Sequence, residues 1–499
     1  MSSGSERASD PRQEGNYRGN DKLIAGIVLA VITFWLFAQT TLNVAPAMRK
    51  DLRITESVSN IAVSITSLFS GILIVVAGGL ADRLGRVRLT NIGIALSILG
   101  SLLIAVSPTG TAAFLMAGRV VQGVSAACIM PATLALMKAY FEGKDRQRAL
   151  SFWSIGSWGG SGLSALFGGF IASTLGWRWI FWMSIAVAVS SYLLVRGTPE
   201  SKAPPKTRKS FDWSGLFAFI VAMVSLNVVI GQGAALGWLT PAVLVLAASS
   251  VVATVVFFRI ERGNPNGFVD LTLFSNKEFN GATLSNFLLN GAAGTLLVVL
   301  TLVQEAAGLS SLQSGLLTIG YLVGVLTTIR IGEKLLQSMG SRKPMLLGSW
   351  ITGAGILLTA FTFLLAREYL VVAFVGFTLF GVGLGLYATP STDAALSNVP
   401  QESGGSASGI YKMASSLGAA LGVALSAMIS AAFRVKGFGP FAEIAMGRTD
   451  NIDVRFGASI ALAFNALMVA AAIVAIMRTI PKLGPTDERF GAHHAAAPS

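Results

Sequence analysis

Residues Gly78–Arg88 read GGLADRLGRVR, between the apolar stretches SITSLFSGILIVVA (64–77) and LTNIGIALSILGSLLIAV (89–106). Gly78 and Gly85 permit a close backbone approach and a tight turn. Asp82 is an acceptor suited to a helix N-terminus or to an arginine. Arg83, Arg86 and Arg88 concentrate positive charge in a segment too short to be a domain. A short basic turn between two long apolar runs is the join between two membrane helices, with its charged side toward the cytoplasm.

The composition carries that reading to the whole chain. Of 499 residues, 53% are hydrophobic and 12% charged, against about 25% charged in soluble domains, which excludes a water-soluble fold. The 55 glycines suit helices packed backbone to backbone. The net charge of +13 is spread over short segments between apolar runs, and no basic, aromatic-interleaved patch suggests nucleic acid. The only histidines are His493 and His494, in a polar tail, and the single cysteine, Cys128, lies in an apolar run. An intrachain disulfide, a His/Cys metal site and a histidine-based catalytic triad therefore have no residues to build them. No enzyme is expected.

No apolar core precedes Leu23, so the first run is itself the targeting signal. Fourteen runs follow, at about 23–46, 58–79, 88–106, 111–137, 149–171, 177–196, 213–231, 240–258, 279–301, 313–336, 344–365, 370–396, 405–432 and 455–478, each long enough for a hydrocarbon core of about 30 Å. With the N-terminus inside, inner segments hold 26 Lys and Arg and outer segments hold 9, so both termini are expected in the cytoplasm. The stretch GEKLLQSMGSRK (Gly332–Lys343), ending run 10, is a degenerate echo of the opening motif. Gly118, Gly123 and Pro131 in run 4 recur as Gly376, Gly381 and Pro390 in run 12. Two six-helix bundles are implied, 23–196 and 259–478, with a two-helix insert at 213–258 and a Pro- and Lys-rich linker at 197–212. Tails span 1–22 and 479–499. Such repeats build many transporters, with the substrate near the midplane between halves.

GGLADRLGRVR has the form of the loop 2–3 signature of the major facilitator superfamily, and MAGRVVQGVSAA (Met116–Ala127) resembles its helix 4 signature. SIGSWGGSGLSALFGG (Ser154–Gly169) resembles the antiporter signature in Gly156, Gly160, Gly168 and Gly169, with Ser164-Ala165 where a Gly-Pro is expected. GWRWIF (176–181) and FDWSG (211–215) look like the fourteen-helix drug:proton antiporter branch, and longer runs are similar to its quinolone efflux proteins. The resemblance implies an all-α polytopic membrane protein of the major facilitator fold, 6+2+6. It further implies proton-coupled export of amphipathic, aromatic and cationic drugs across the cell membrane, by a monomer set in lipid. Gly78, Asp82, Arg83, Gly85 and Arg86 would serve conformational gating, and Arg119 proton coupling. No Walker motif is present, so the energy source is expected to be an ion gradient, without cofactor. A transporter of one metabolite, lipid or peptide stands as the alternative, and a non-transporting receptor as a remoter one.

The branch places an aspartate five residues before an Asn-Val-Ala triplet in helix 1; here Asn43-Val44-Ala45 puts Ala38 there, beside Gln39. The carboxylates in or at the edge of the runs are Asp82, Glu305, Glu333 and Asp393. Glu333 follows Arg330 by three residues, the spacing of a local ion pair. Asp393 lies beside Pro390, expected to break the helix locally, with Lys412 as a possible counter-ion. Arg119, about 12 Å inside the outer boundary at 1.5 Å per residue, marks a functional site by its depth. Trp35, Phe37, Gln39, Asn43, Trp153 and Trp158 are the candidate cavity lining.

Overall fold

The computed structural model describes residues 17–202, 212–237, 239–264, 271–309, 311–364, 366–434 and 450–482. Most of the linker, most of both tails with His493 and His494, and most of the long segment between runs 13 and 14 lie outside the described residues.

Each apolar run falls on helix. The first half comprises α1 (Asp21–Ile32), α2 (Thr41–Leu52), α3 (Glu56–Leu84), α4 (Arg86–Ala105), α5 (Ala113–Tyr140), α6 (Gly143–Ser154), α7 (Gly160–Thr174) and α8 (Arg178–Val195). The insert is α9 (Trp213–Leu236) and α10 (Pro241–Gly263). The second half comprises α11 (Lys277–Gly291), α12 (Gly294–Ala307), α13 (Ser311–Leu316), α14 (Ile319–Met339), α15 (Arg342–Thr359), α16 (Ala366–Ser397), α17 (Gly404–Ala432) and α18 (Ile452–Thr479). Eleven helices among the described residues are long and apolar enough to cross a membrane.

Local chemistry sets the starts. Asn20 accepts from the Leu23 N–H at 2.9 Å to open α1, and Asp212 accepts from the Gly215 N–H at 2.9 Å to open α9, each satisfying a donor that the first turn leaves free. Gly85, at φ +115°, turns the chain between α3 and α4 in a conformation that a Cβ would strain; Gly340, at φ +74°, holds the corresponding place between α14 and α15.

The internal repeat is structural as well as sequential. In the first half α5 packs between α3 and α4, and in the second α16 packs between α14 and α15. The insert pairs with itself and leans on α3 and α17. Pro390 does not break its helix: α16 continues through it, as α5 continues through Pro131. Both prolines are buried, where packing on either side holds the axis despite the lost hydrogen bond. The interruptions come elsewhere. Between α1 and α2 the segment Thr33–Ala38 is π-helical, and so is Ile155–Gly159 between α6 and α7.

Candidate functional site

Gly78–Arg88 ends α3 beside the start of α17, at what is here called the basic end of the bundle. Asp82 Oδ1 accepts from Arg86 Nη2 at 2.9 Å and from the Gly405 N–H at 2.9 Å, and Oδ2 accepts from the Ser406 N–H at 3.0 Å. The carboxylate thus sits on the first free N–H groups of α17, where the helix dipole favours negative charge. Acid and helix terminus come from opposite halves. The fit needs glycine on both sides, because a Cβ on Gly78 or on Gly405 would collide with the other's carbonyl oxygen. Arg86, buried like Asp82, also donates to the Gln401 carbonyl and, at 3.1 Å, to Ser201 Oγ. Gly85 makes the turn, and Arg83 is exposed.

A second set of bonds joins the halves alongside. Lys138 of α5 donates to the Val399 carbonyl. Arg146 of α6 pairs with Asp393 of α16 at 3.1 Å and donates to Ser397 Oγ at 2.9 Å. Lys412 is therefore not the counter-ion of Asp393. The space between α16 and α17 is filled instead by the Tyr411 hydroxyl, bonded to Ser391 Oγ at 2.9 Å and Thr392 Oγ1 at 3.3 Å. The Lys412 Nζ turns toward the first half, 4.6 Å from the Trp153 ring centroid and 5.7 Å from that of Trp35.

Arg119 is 1% exposed and meets no carboxylate. Its guanidinium donates to the carbonyls of Ala38 (2.8 Å), Ala62 (2.8 Å) and Val63 (3.2 Å) and to Gln122 Oε1 (2.9 Å). It pins the π-helical turn after α1 and the N-terminal part of α3 to α5. Every group that its guanidinium bonds is a neutral oxygen, so any part it plays in the expected proton coupling does not run through a directly bonded acid.

The remaining candidates scatter. Glu305 pairs with Arg434 at 2.6 Å, both partly exposed. Buried Glu333 pairs with Arg330 and accepts from Gln337 at 3.2 Å, the local arrangement that its spacing suggests. Phe37 is 3% exposed and stands edge-on to Phe167 of α7, ring centroids 5.3 Å apart, inside the first half. Trp153 is buried, its Nε1 donating to Thr133 Oγ1 at 3.0 Å; Trp35, Trp158 and Gln39 are half-buried and Asn43 is exposed. Three of the four groove glycines face the first helix, Gly156 at Val28, Gly160 at Trp35 and Leu36, and Gly168 at Thr40, whereas Gly169 has open space. The groove thus seats α1, its π turn and the start of α2 against α7, and Thr40 Oγ1 closes it by donating to the Ser164 carbonyl at 3.1 Å.

Sequence reasoning missed three groups. Arg146 was one inner charge among many. Glu200, in the linker, accepts from the Val87 and Arg88 N–H groups at 2.9 Å each, capping α4. Tyr387 and Tyr411 head a buried hydroxyl network: Tyr387 bonds Ser285 at 2.6 Å and Ser391 at 2.8 Å, and Ser391 bonds Tyr411. The available signal was a tyrosine in the middle of an apolar run, whose hydroxyl must find a partner there.

The Major Facilitator Superfamily profile matches residues 27–423 and 282–497. The chain is 50% identical over 471 residues, 94% of its own length and 98% of the relative's, to the quinolone resistance protein NorB of Staphylococcus aureus strain MRSA252. To the protein of the same name from strain COL it is 49% identical with the same coverage. Among solved structures, the proton:xylose symporter XylE shares the fold at a TM-score of 0.65 and 14% identity, over 94% of this chain and 98% of that one. A bacterial homologue of the iron transporter ferroportin, in its outward-facing state, does so at 0.60 and 14%, over 92% and 98%. With a profile covering nearly the whole length, a relative of half-identical sequence and two structurally repeated halves, the chain belongs to the Major Facilitator Superfamily.

Proposed function

We propose that the chain is a proton-driven multidrug efflux transporter of the cell membrane, exporting amphipathic and aromatic compounds, quinolones among them. It is a transporter and not an enzyme. The observation that carries the reading is the near full-length identity to the quinolone resistance proteins, joined to a seam between halves that is bonded at one end. The side-chain hydrogen bonds described between the halves, from Asp82, Arg86, Lys138 and Arg146 to residues 393–406, lie at the basic end. With that end in the cytoplasm, as the charge bias supports, the pathway is shut toward the cell interior.

The finer reading has fourteen crossings, arranged as bundles 23–196 and 259–478 about an insert at 213–258, with both termini cytoplasmic. Asp393 is the favoured proton site, ahead of Glu305 and Glu333. Its carboxylate ties α16 to Arg146 across the seam, so protonation from outside removes a charge that holds the basic end shut and favours opening inward, the order an exporter needs. Arg119 serves coupling through helix position. Trp35, Trp153 and Trp158 are retained as cavity residues.

Drug uptake by inverted vesicles, with and without an imposed proton gradient, tests the reading: gradient-dependent accumulation is expected, and none would refute it. In the same assay Asp393→Asn should keep drug-for-drug exchange and lose acceleration by the gradient. Full gradient-driven transport by this variant would remove Asp393 from the coupling step.

A further inference from the structure

We infer that Lys412, Trp35 and Trp153 form the subsite for a carboxylate borne by a planar aromatic substrate, an inference that rests on the efflux reading above. Lys412 lies eight residues into α17, about 12 Å from its end at 1.5 Å per residue, and faces the first half of the molecule. It is 6% exposed. Among the described residues it makes no hydrogen bond or ion pair; the neighbours placed about its ammonium are the faces of Trp153 and Trp35, at 4.6 and 5.7 Å.

Indole faces attract a cation, but they offer no lone pair for its N–H donors, and an ammonium taken from water without an anion is uncompensated. Among the described residues of the two halves no buried acid is left to supply one. In the two halves the buried carboxylates are engaged: Asp82 by Arg86 and two α17 N–H groups, Asp393 by Arg146, and Glu333 by Arg330 and Gln337. A second donor is orphaned in the same place. Trp35 Nε1 is buried with no partner, whereas Trp153 Nε1 is committed to Thr133 and fixes its ring. Two unsatisfied donors and two indole faces are what a flat acid requires: its carboxylate accepts from Lys412 Nζ and Trp35 Nε1, and its ring lies against the indoles. The same charge repels a purely cationic ligand from this position, so the subsite selects acids and zwitterions.

The test is calorimetric binding of nalidixate, its methyl ester and ethidium to the full-length protein in detergent. The acid is expected to bind wild type about tenfold or more tighter than the ester, the scale of a hydrogen bond to a charged partner. Lys412→Gln should erase that preference with ethidium binding no weaker than in wild type, and Lys412→Arg should keep it. Equal affinity of wild type for acid and ester, no binding of the acid, or a preference that survives Lys412→Gln would each overturn the inference. Should the glutamine variant fail to fold, the wild-type comparison of acid and ester decides alone. The efflux reading fails separately, if inverted vesicles accumulate no drug while the preference for the acid stands.

Discussion

Asp82 shows how one side chain serves two structures at once. Its carboxylate completes the Gly78–Arg88 turn through Arg86 and caps α17 of the other half. Asp82→Asn keeps the shape but replaces an acceptor oxygen with an amide that faces N–H groups as a donor. The variant should insert and bind substrate in detergent while export slows about tenfold or more; lost binding with an intact fold would show that Asp82 contacts the ligand. Arg119 makes a different demand. Removing its guanidinium takes the charged bonds to the carbonyls of Ala38, Ala62 and Val63 and to Gln122 Oε1 out of a buried site, at about 1.5–3 kcal/mol for each such bond. Arg119→Ala should therefore lower the unfolding temperature of the detergent-solubilised protein, and Arg119→Lys should not restore it, since a point charge cannot fork to several acceptors. An unchanged melting profile would free Arg119 from this structural task. The depth of Arg119 was legible in the sequence because a buried charge is costly wherever it occurs. Its partners were not, because backbone carbonyls leave no mark in a residue string.

The α-helical ladder is interrupted at the two π segments and not at Pro131 or Pro390. The π segment Thr33–Ala38 sends the Gln39 N–H to the Phe34 carbonyl, five residues back, and the Asn43 N–H to the Thr40 carbonyl, three back. Such a shift of register loosens the ladder, and Arg119 bonds the Ala38 carbonyl within it. The second π segment lies opposite, and Gly160 just beyond it leaves room for Trp35: a Cβ there would come 3.1 Å from the Trp35 Cβ and 3.2 Å from the Leu36 nitrogen. Gly160→Val, bulkier than that single carbon, should push the first helix off α7 and displace Trp35. Binding of aromatic ligands should weaken severalfold, read by calorimetry, with the loss confined to ligands that contact Trp35. Unaltered affinity would place Trp35 outside the pathway. The sequence displayed the glycine groove, because small residues at helical spacing are visible by inspection. It hid the π turns, which depend on packing against Gly160 and on a distant arginine.

Across the whole molecule the asymmetry between the two ends of the seam is the feature from which movement can be argued. The repeat was readable because Gly78–Arg88 and Gly332–Lys343 share a pattern, but the pairing of Arg146 with Asp393 joins residues 247 positions apart, beyond the reach of local spacing. If transport alternates access, the basic end must part on every cycle, and a covalent tie there must stop it. Ala139 and Gln401 suit the tie: the Gln401 amide reaches the Ala139 carbonyl at 3.5 Å, one residue on each side of the seam, and Gln401 meets Arg86 only through its backbone carbonyl, which a cysteine retains. The native cysteine, Cys128, is buried, so a short bis-methanethiosulfonate should react selectively with an Ala139→Cys/Gln401→Cys pair. Export by the cross-linked protein is expected to fall to background and to return on reduction, and each single variant should transport normally under the same reagent. Ligand should still bind the tied protein, because the opposite end carries none of the interhalf bonds described above. Complete cross-linking with undiminished export would mean that the halves do not separate at the basic end, and the alternation would then have to run through a different hinge.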